Sequence, residues 1–164
     1  MEVSDNTAAN LLLPVIGGPE GLTRYCRSLG DRVTRLDRTE PTLNVVPTGD
    51  VRDTTTPLAM LKLMNTILLG KVLSDASRRQ LETWLLQATV GQDRIKAGLP
   101  PTWRIGHKTG TWETHVNDIA IVWPPGRAPI LVTAYYAGPP GPQQARSAVL
   151  SEIGRIVSET LHDN

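Results

Sequence analysis

Three short runs of this 164-residue chain combine residue types that can do chemistry. Ser4-Asp5-Asn6 sets a hydroxyl, a carboxylate and a carboxamide side by side. Glu40-Pro41 is followed by Asn44, and Lys108-Thr109-Gly110 joins an ammonium to a hydroxyl and an unhindered backbone unit. A hydroxyl beside an ammonium can relay a proton, a carboxylate can act as general base on water, and a carboxamide can both donate to and accept from a neutral group. Those are the needs of acyl transfer to water. Each run also has an ordinary reading. Ser4-Asp5-Asn6 can be a helix N-cap, Glu40 to Asn44 a polar loop, and Lys108 a solvated residue at a strand end before a turn.

The elements that would position these runs can be read from caps and periodicity. After Asp5, residues 6–18 read as a short helix stopped near Pro14 and the Gly17-Gly18 pair. The stretch PEGLTRYCRSLG reads as a helix with Pro19 in its first turn, with Leu22, Tyr25, Cys26 and Leu29 on one face and Gly30 as its stop. Thr56-Pro57 caps a helix ended by Gly70, and Ser74 caps another over ASRRQLETWLLQA. From Trp103 onward, TWRIGHK, NDIAIVWP and PILVTAYYA carry the Ile, Val, Trp and Tyr content of three consecutive antiparallel strands. The tail from Gln143 to Leu161 spaces Ala145, Val149, Ile153, Ile156, Val157 and Leu161 as one helical stripe. The fold class is therefore α+β: helices over about 1–100, a three-stranded meander, and a closing helix, in a single domain. Trp84, Trp103 and Trp123 read as core or rim packing, and Cys26 as a small apolar residue on a helix face.

Composition narrows the function classes. The formal net charge is +1, which offers no field for nucleic acid or anionic lipid. One cysteine allows no internal disulfide, and the histidines at 107, 115 and 162 lack metal-ligand spacing with it, so neither a metal nor another cofactor is expected. No run of 18 apolar residues suggests a membrane span, and the first residues lack the features of a secretory signal, so the chain as written reads as cytoplasmic.

The order SDN at 4–6, RLDRTEPTLN at 35–44, DTTTP at 53–57 and KTG at 108–110 resembles the class A serine β-lactamases, for which SDN and KTG are signatures. The resemblance runs through essentially the whole chain. It implies hydrolysis of β-lactam antibiotics through an acyl-enzyme, with Ser4 and Lys108 passing a proton to the leaving nitrogen and Glu40 acting as general base. It also implies that Asn44 helps hold the hydrolytic water, that Asn6 binds the substrate's side-chain amide, and that Lys108, Thr109, Gly110 and Thr111 form the strand edge along which substrate lies. The Thr111 amide would be an oxyanion donor. Arg94 would help bind the carboxylate, against the alternative of an exposed arginine at a helix end.

The irregular stretch 35–53 would be an Ω-loop, its neck closed by an Arg38–Asp53 ion pair, with a cis bond before Pro41 and a tether from Asn10. Relatives are periplasmic or secreted.

One departure bears on activity. The family's nucleophile lies in Ser-x-x-Lys upstream of SDN, and the four lysines here, at 62, 71, 96 and 108, follow Ala59, Leu68, Asp93 and Ile105 at that spacing. The chain therefore resembles a carboxyl-terminal portion of the fold, inactive by itself, with two of five strands absent and residues 129–137 at an unpaired edge. One alternative is a complementation half activated by an amino-terminal part. Another is a penicillin-interacting peptidase or sensor, against which RLDRTEPTLN argues. Trp112 and Glu113 stand where relatives carry small residues, the segment to Asn117-Asp118 is a residue shorter, and His107 replaces an acid.

Overall fold

The computed structural model describes residues 1–45, 47 and 49–162, so positions 46 and 48 of the 35–53 loop lie outside the described residues. It divides into two compact units, residues 5–73, and residues 1–4 with 74–164. No described helix is long and apolar enough to cross a membrane.

In the 5–73 unit, α1 (Asn6–Leu12) starts where the Asp5 carboxylate accepts from the Ala8 amide at 2.7 Å. It tightens into a 3₁₀ turn, Leu13–Ile16, at Pro14, and Gly17 ends it in the left-handed region. α2 (Gly18–Ser28) follows with Pro19 in its first turn, and Gly30 (φ 86°) closes it. Cys26 and Gly21 are buried on α2, but Tyr25, expected on that face, is exposed. Tyr25 and Cys26 are neighbours and so point about 100° apart around the helix axis; with Cys26 buried, the phenol falls beyond the buried edge. α3 (Pro57–Met64) is capped by the Thr56 hydroxyl, which accepts from the Ala59 amide, and it widens into a π-turn, Asn65–Leu69, before Gly70.

In the other unit, Ser74 accepts from the Ser77 amide and starts α4 (Asp75–Leu86). β1 (Arg104–Trp112), β2 (His115–Trp123) and β3 (Ile130–Ala137) form an antiparallel sheet in the order β1-β2-β3, so β1 and β3 are the edges. β1 runs further than its composition suggests. Lys108-Thr109-Gly110 is not a strand end but mid-strand, paired with Ile119, Asp118 and Asn117, and the turn to β2 is only Glu113-Thr114, with Glu113 at φ 31°.

The core joins Ile105, Val116, Ala120, Val122 and Ala134 of the sheet to Ile95, Leu99 and Leu150, with Trp103, Val132, Tyr136, Ile153 and Val157 packed against it. Trp123 lies under Arg104, 5.0 Å from guanidinium carbon to ring centroid, while Trp84 is exposed.

The closing helix, α5 (Gln143–His162), buries only part of the apolar stripe: Ile153 and Val157 pack against the core, but the centre of the buried face lies elsewhere. Ser147, Leu150, Gly154 and Ser158 are buried, whereas Ala145, Val149 and Ile156 are exposed. The cause is a backbone approach. A Cβ on Gly154 would lie 2.2 Å from the Ile95 carbonyl oxygen, and one on Gly98 would lie 1.9 Å from that of Ser151. Two glycines allow the turn Ile95–Gly98 to sit against the helix, and that contact centres the buried face on Leu150 and Gly154 and turns Val149 and Ile156 outward.

Candidate functional site

Two clusters gather the chemistry-bearing residues, one in each unit. The first depends on strand alternation along β1, which sends Lys108 and Gly110 to one face and His107, Thr109 and Thr111 to the other. On its face, Lys108 donates from Nζ to Ser4 Oγ at 2.7 Å and to the Thr109 carbonyl at 2.6 Å. Ser4 reaches it from a left-handed backbone, φ 54°. Both readings of the opening run thus apply, to different residues: Asp5 caps the helix and Ser4 turns to the lysine. Asn6 is the exposed first residue of α1.

On the opposite face of β1, Arg94 is 1% exposed, which removes the reading of a solvated helix-end arginine. Its NH1 donates to the Gly110 and Asn117 carbonyls at 2.8 and 2.7 Å, and its NH2 donates to the Thr111 hydroxyl. Burial lowers its pKa, against the pull of Asp118 and Asp93, and a guanidinium still keeps its proton at neutral pH. A fixed positive charge therefore underlies the Gly110-Thr111 end of β1. Gly91 permits this approach, since a Cβ there would meet the Thr109 methyl at 2.3 Å.

Beside Arg94 sits a pair that local sequence reasoning missed. His107 Nδ1 lies 3.1 Å from Asp118 Oδ1, with both side chains buried. Burial pushes the Asp118 carboxyl above the ordinary carboxylate range, against the opposite pull of His107, Arg94 and the Ile95 amide. The register that sets Thr109 opposite Asp118 is what makes the two neighbours, and nothing in either residue's local sequence announces it.

The second cluster lies in the 35–53 loop. Asn44 Nδ2 donates to Glu40 Oε2 at 2.6 Å, which aims one carboxylate oxygen. Asn10 grips the Glu40 backbone from both sides, donating to its carbonyl at 2.8 Å and accepting from its amide at 3.0 Å. The Glu40-Pro41 bond is cis. The neck is closed by Asp53, whose Oδ1 accepts from the Asp37 and Arg38 amides while Oδ2 accepts from Arg38 Nε at 2.6 Å. A return bond runs from the Asp53 amide to Asp37 Oδ2, and Arg35 forks onto the same Asp37 carboxylate. Regular backbone pairing is thus replaced by side-chain clamps, and a glutamate with a half-buried carboxylate is held in one orientation. Such a carboxylate can accept a proton from a bound water; a hydroxyl held by an ammonium can pass one on.

Comparison with known proteins agrees with the α+β arrangement. The family described as the beta-lactamase enzyme family matches residues 1–161, and the chain belongs to that family. Its similarity is to class A members. Beta-lactamase CTX-M-8 of Citrobacter amalonaticus is 46% identical over 160 residues, spanning 97% of this chain and 55% of the relative. Beta-lactamase OXY-2 of Klebsiella oxytoca is 46% identical over 162 residues, spanning 98% and 56%. Among solved structures, an ancestral (GNCA) class A beta-lactamase superposes with a TM-score of 0.95 at 55% identity, over 98% of this chain and 62% of that one. A beta lactamase from Xanthomonas campestris pv. campestris does so at 0.92 and 51% identity, over 95% and 59%. The chain therefore spans little more than half the length of the relatives it matches.

Proposed function

We propose that this chain supplies the proton-relay and water-activating residues of a β-lactam hydrolase that works through an acyl-enzyme. In ring opening, Lys108 polarises the Ser4 hydroxyl, and Ser4 hands its proton to the departing ring nitrogen. The positive charges of Lys108 and Arg94 favour a substrate bearing a carboxylate, Asn6 takes the side-chain amide, and Thr109, Gly110 and Thr111 offer the strand edge, with the Thr111 amide facing the oxyanion. In deacylation, Glu40 takes a proton from the water that Asn44 helps to hold, and the hydroxide attacks the ester. The serine whose ester is cleaved comes from a Ser-x-x-Lys outside these 164 residues, since none occurs within them. Without it, the residues here bind substrate but have no acyl group to release.

The observation that supports this reading is the 2.7 Å contact between Lys108 and Ser4, residues 104 apart in sequence. Its test is turnover of a chromogenic cephalosporin by the chain alone, by the chain mixed with a polypeptide carrying Ser-x-x-Lys from a class A relative, and by both joined in one reading frame. Turnover is expected in the joined form, and in the mixture if the two halves complement. The joined Glu40→Ala variant is expected to stop with the acyl group attached, visible as a mass increase. Enzymatic turnover by the chain alone, or a joined form that never acylates, contradicts the reading.

A further inference from the structure

His107 is more than a packed ring, because its partners dictate which nitrogen holds the proton. Gln92 is oriented by two groups of opposite kind: the Lys96 ammonium donates to its Oε1, and its Nε2 donates to the Ala88 carbonyl at 2.7 Å. The amide nitrogen therefore faces His107 Nε2, 3.4 Å away. An NH2 group has hydrogens and no lone pair to offer, so Nε2 accepts. A neutral imidazole with an accepting Nε2 carries its hydrogen on Nδ1, where Asp118 receives it at 3.1 Å to Oδ1 and 3.3 Å to Oδ2.

We propose that His107 is a positioning residue for Arg94: its unprotonated Nε2 ties the segment 88–96 to β1 through Gln92, and a proton on that nitrogen breaks the tie. A protonated Nε2 would set one N–H against another. Gln92 must then turn, giving up either the Ala88 carbonyl or Lys96, and both lie on the segment that carries Arg94. The charged groups in this network are Asp118 from β2 and Asp93, Arg94 and Lys96 from the segment; α4 meets β1 here through Leu85 beside Gly106. Lys108 stands on the other face of the strand and is not part of it. Protonation of one buried ring is thereby linked to the placement of the guanidinium beneath Gly110 and Thr111. The consequence for carboxylate binding rests on the proposed role of Arg94, whereas the linkage itself does not.

The test uses the full chain labelled with ¹⁵N, with the His107 signals assigned by their loss in His107→Asn. Long-range ¹H–¹⁵N spectra at pH 7.5 are expected to show the Nδ1–H tautomer. As the ring titrates, the Arg94 Nε–H signal is expected to shift with the same midpoint. Gln92 is exposed, so Gln92→Glu is accommodated, and its carboxylate accepts from a protonated Nε2; the midpoint is expected to rise by about one pH unit or more. An Nε2–H tautomer, an Arg94 signal indifferent to the ring's titration, or an unchanged midpoint in Gln92→Glu overturns the proposal. Lack of β-lactam turnover would refute the functional reading and leave this linkage standing.

Discussion

Lys108 Nζ and Ser4 Oγ meet at 2.7 Å, and the serine does so from a backbone, φ 54°, that side-chain-bearing residues rarely adopt. An ammonium has only hydrogens to give, so the hydroxyl accepts from it and keeps its own proton for another acceptor.

That geometry separates strain from chemistry. Ser4→Gly relieves the left-handed backbone while removing the hydroxyl, and Ser4→Ala removes the hydroxyl and keeps the strain. The glycine variant is expected to be more stable than the alanine variant by about 1 kcal/mol in urea unfolding. In the joined enzyme, both are expected to lose turnover alike, on the order of 10²- to 10⁴-fold, with Lys108→Ala in the same range. Equal stability of the two Ser4 variants would mean that the positive φ is not a constraint on the fold.

The clamp on the 35–53 loop carries a second expectation. Asp53 has 2% of its side chain exposed and receives two backbone amides and Arg38 Nε. Asp53→Ala takes the acceptor from those donors and leaves a mostly buried guanidinium without its carboxylate, with only the longer Leu43 carbonyl contact remaining, at a loss of roughly 3 kcal/mol. Arg155 with Glu152 and Glu159 on α5 is an exposed counterpart, and Arg155→Ala is expected to leave unfolding nearly unchanged. Comparable losses from the two substitutions would show that burial does not distinguish these pairs.

What was legible in the sequence followed from how local each signal is. Asp5, Thr56 and Ser74 cap helices through bonds to residues three positions on, and their neighbours alone announce them. The strands show through their Val and Ile content, but composition ends β1 early, because Lys108, Thr109 and Gly110 do not look like strand residues and are held by pairing with β2. The apolar stripe marks only part of the buried face of α5, Ile153 and Val157, because two glycines set where the helix docks and turn Ala145, Val149 and Ile156 to solvent. Ser4, Glu40, Asn44 and Lys108 stand out in the sequence only as members of short motifs, and the contacts they make, Lys108 with Ser4 and Asn44 with Glu40, appear in the structure. The Asp118 partnership of His107 and the burial of Arg94 were not derivable locally, since both depend on the register of β1 against β2.

The glycine contact can itself be tested. Gly154→Ala would press a methyl onto the Ile95 carbonyl, and backbone on both sides leaves no flexible side chain to yield. A loss of roughly 1 to 3 kcal/mol is expected from such overpacking. Ala148→Ser, on the exposed side of α5, is expected to change unfolding by less than about 0.5 kcal/mol. If Gly154→Ala matched that control, the close approach would not hold α5 in place.

Asp31 gives the stability a defined pH dependence. It follows Gly30 at the end of α2, and its Oδ1 accepts from the Val33 and Thr34 amides at 2.7 and 3.1 Å. Burial alone would raise its pKa, but the Thr34 and Val33 hydrogen bonds and the Arg27 charge outweigh it, and the carboxyl is held below its ordinary value of 3.8. Folding therefore favours the ionised form. The resulting stabilisation is complete well above the unfolded pKa, begins to fade as pH falls through about 4, and is gone once pH drops below the folded value. Asp31→Asn keeps an acceptor oxygen but has no charge to lose. It is expected to be less stable than the native chain at pH 7, with the gap closing as pH falls below about 4 in parallel urea titrations. A gap that stayed constant over that fall would place the effect in shape and hydrogen bonding, and not in the charge of Asp31.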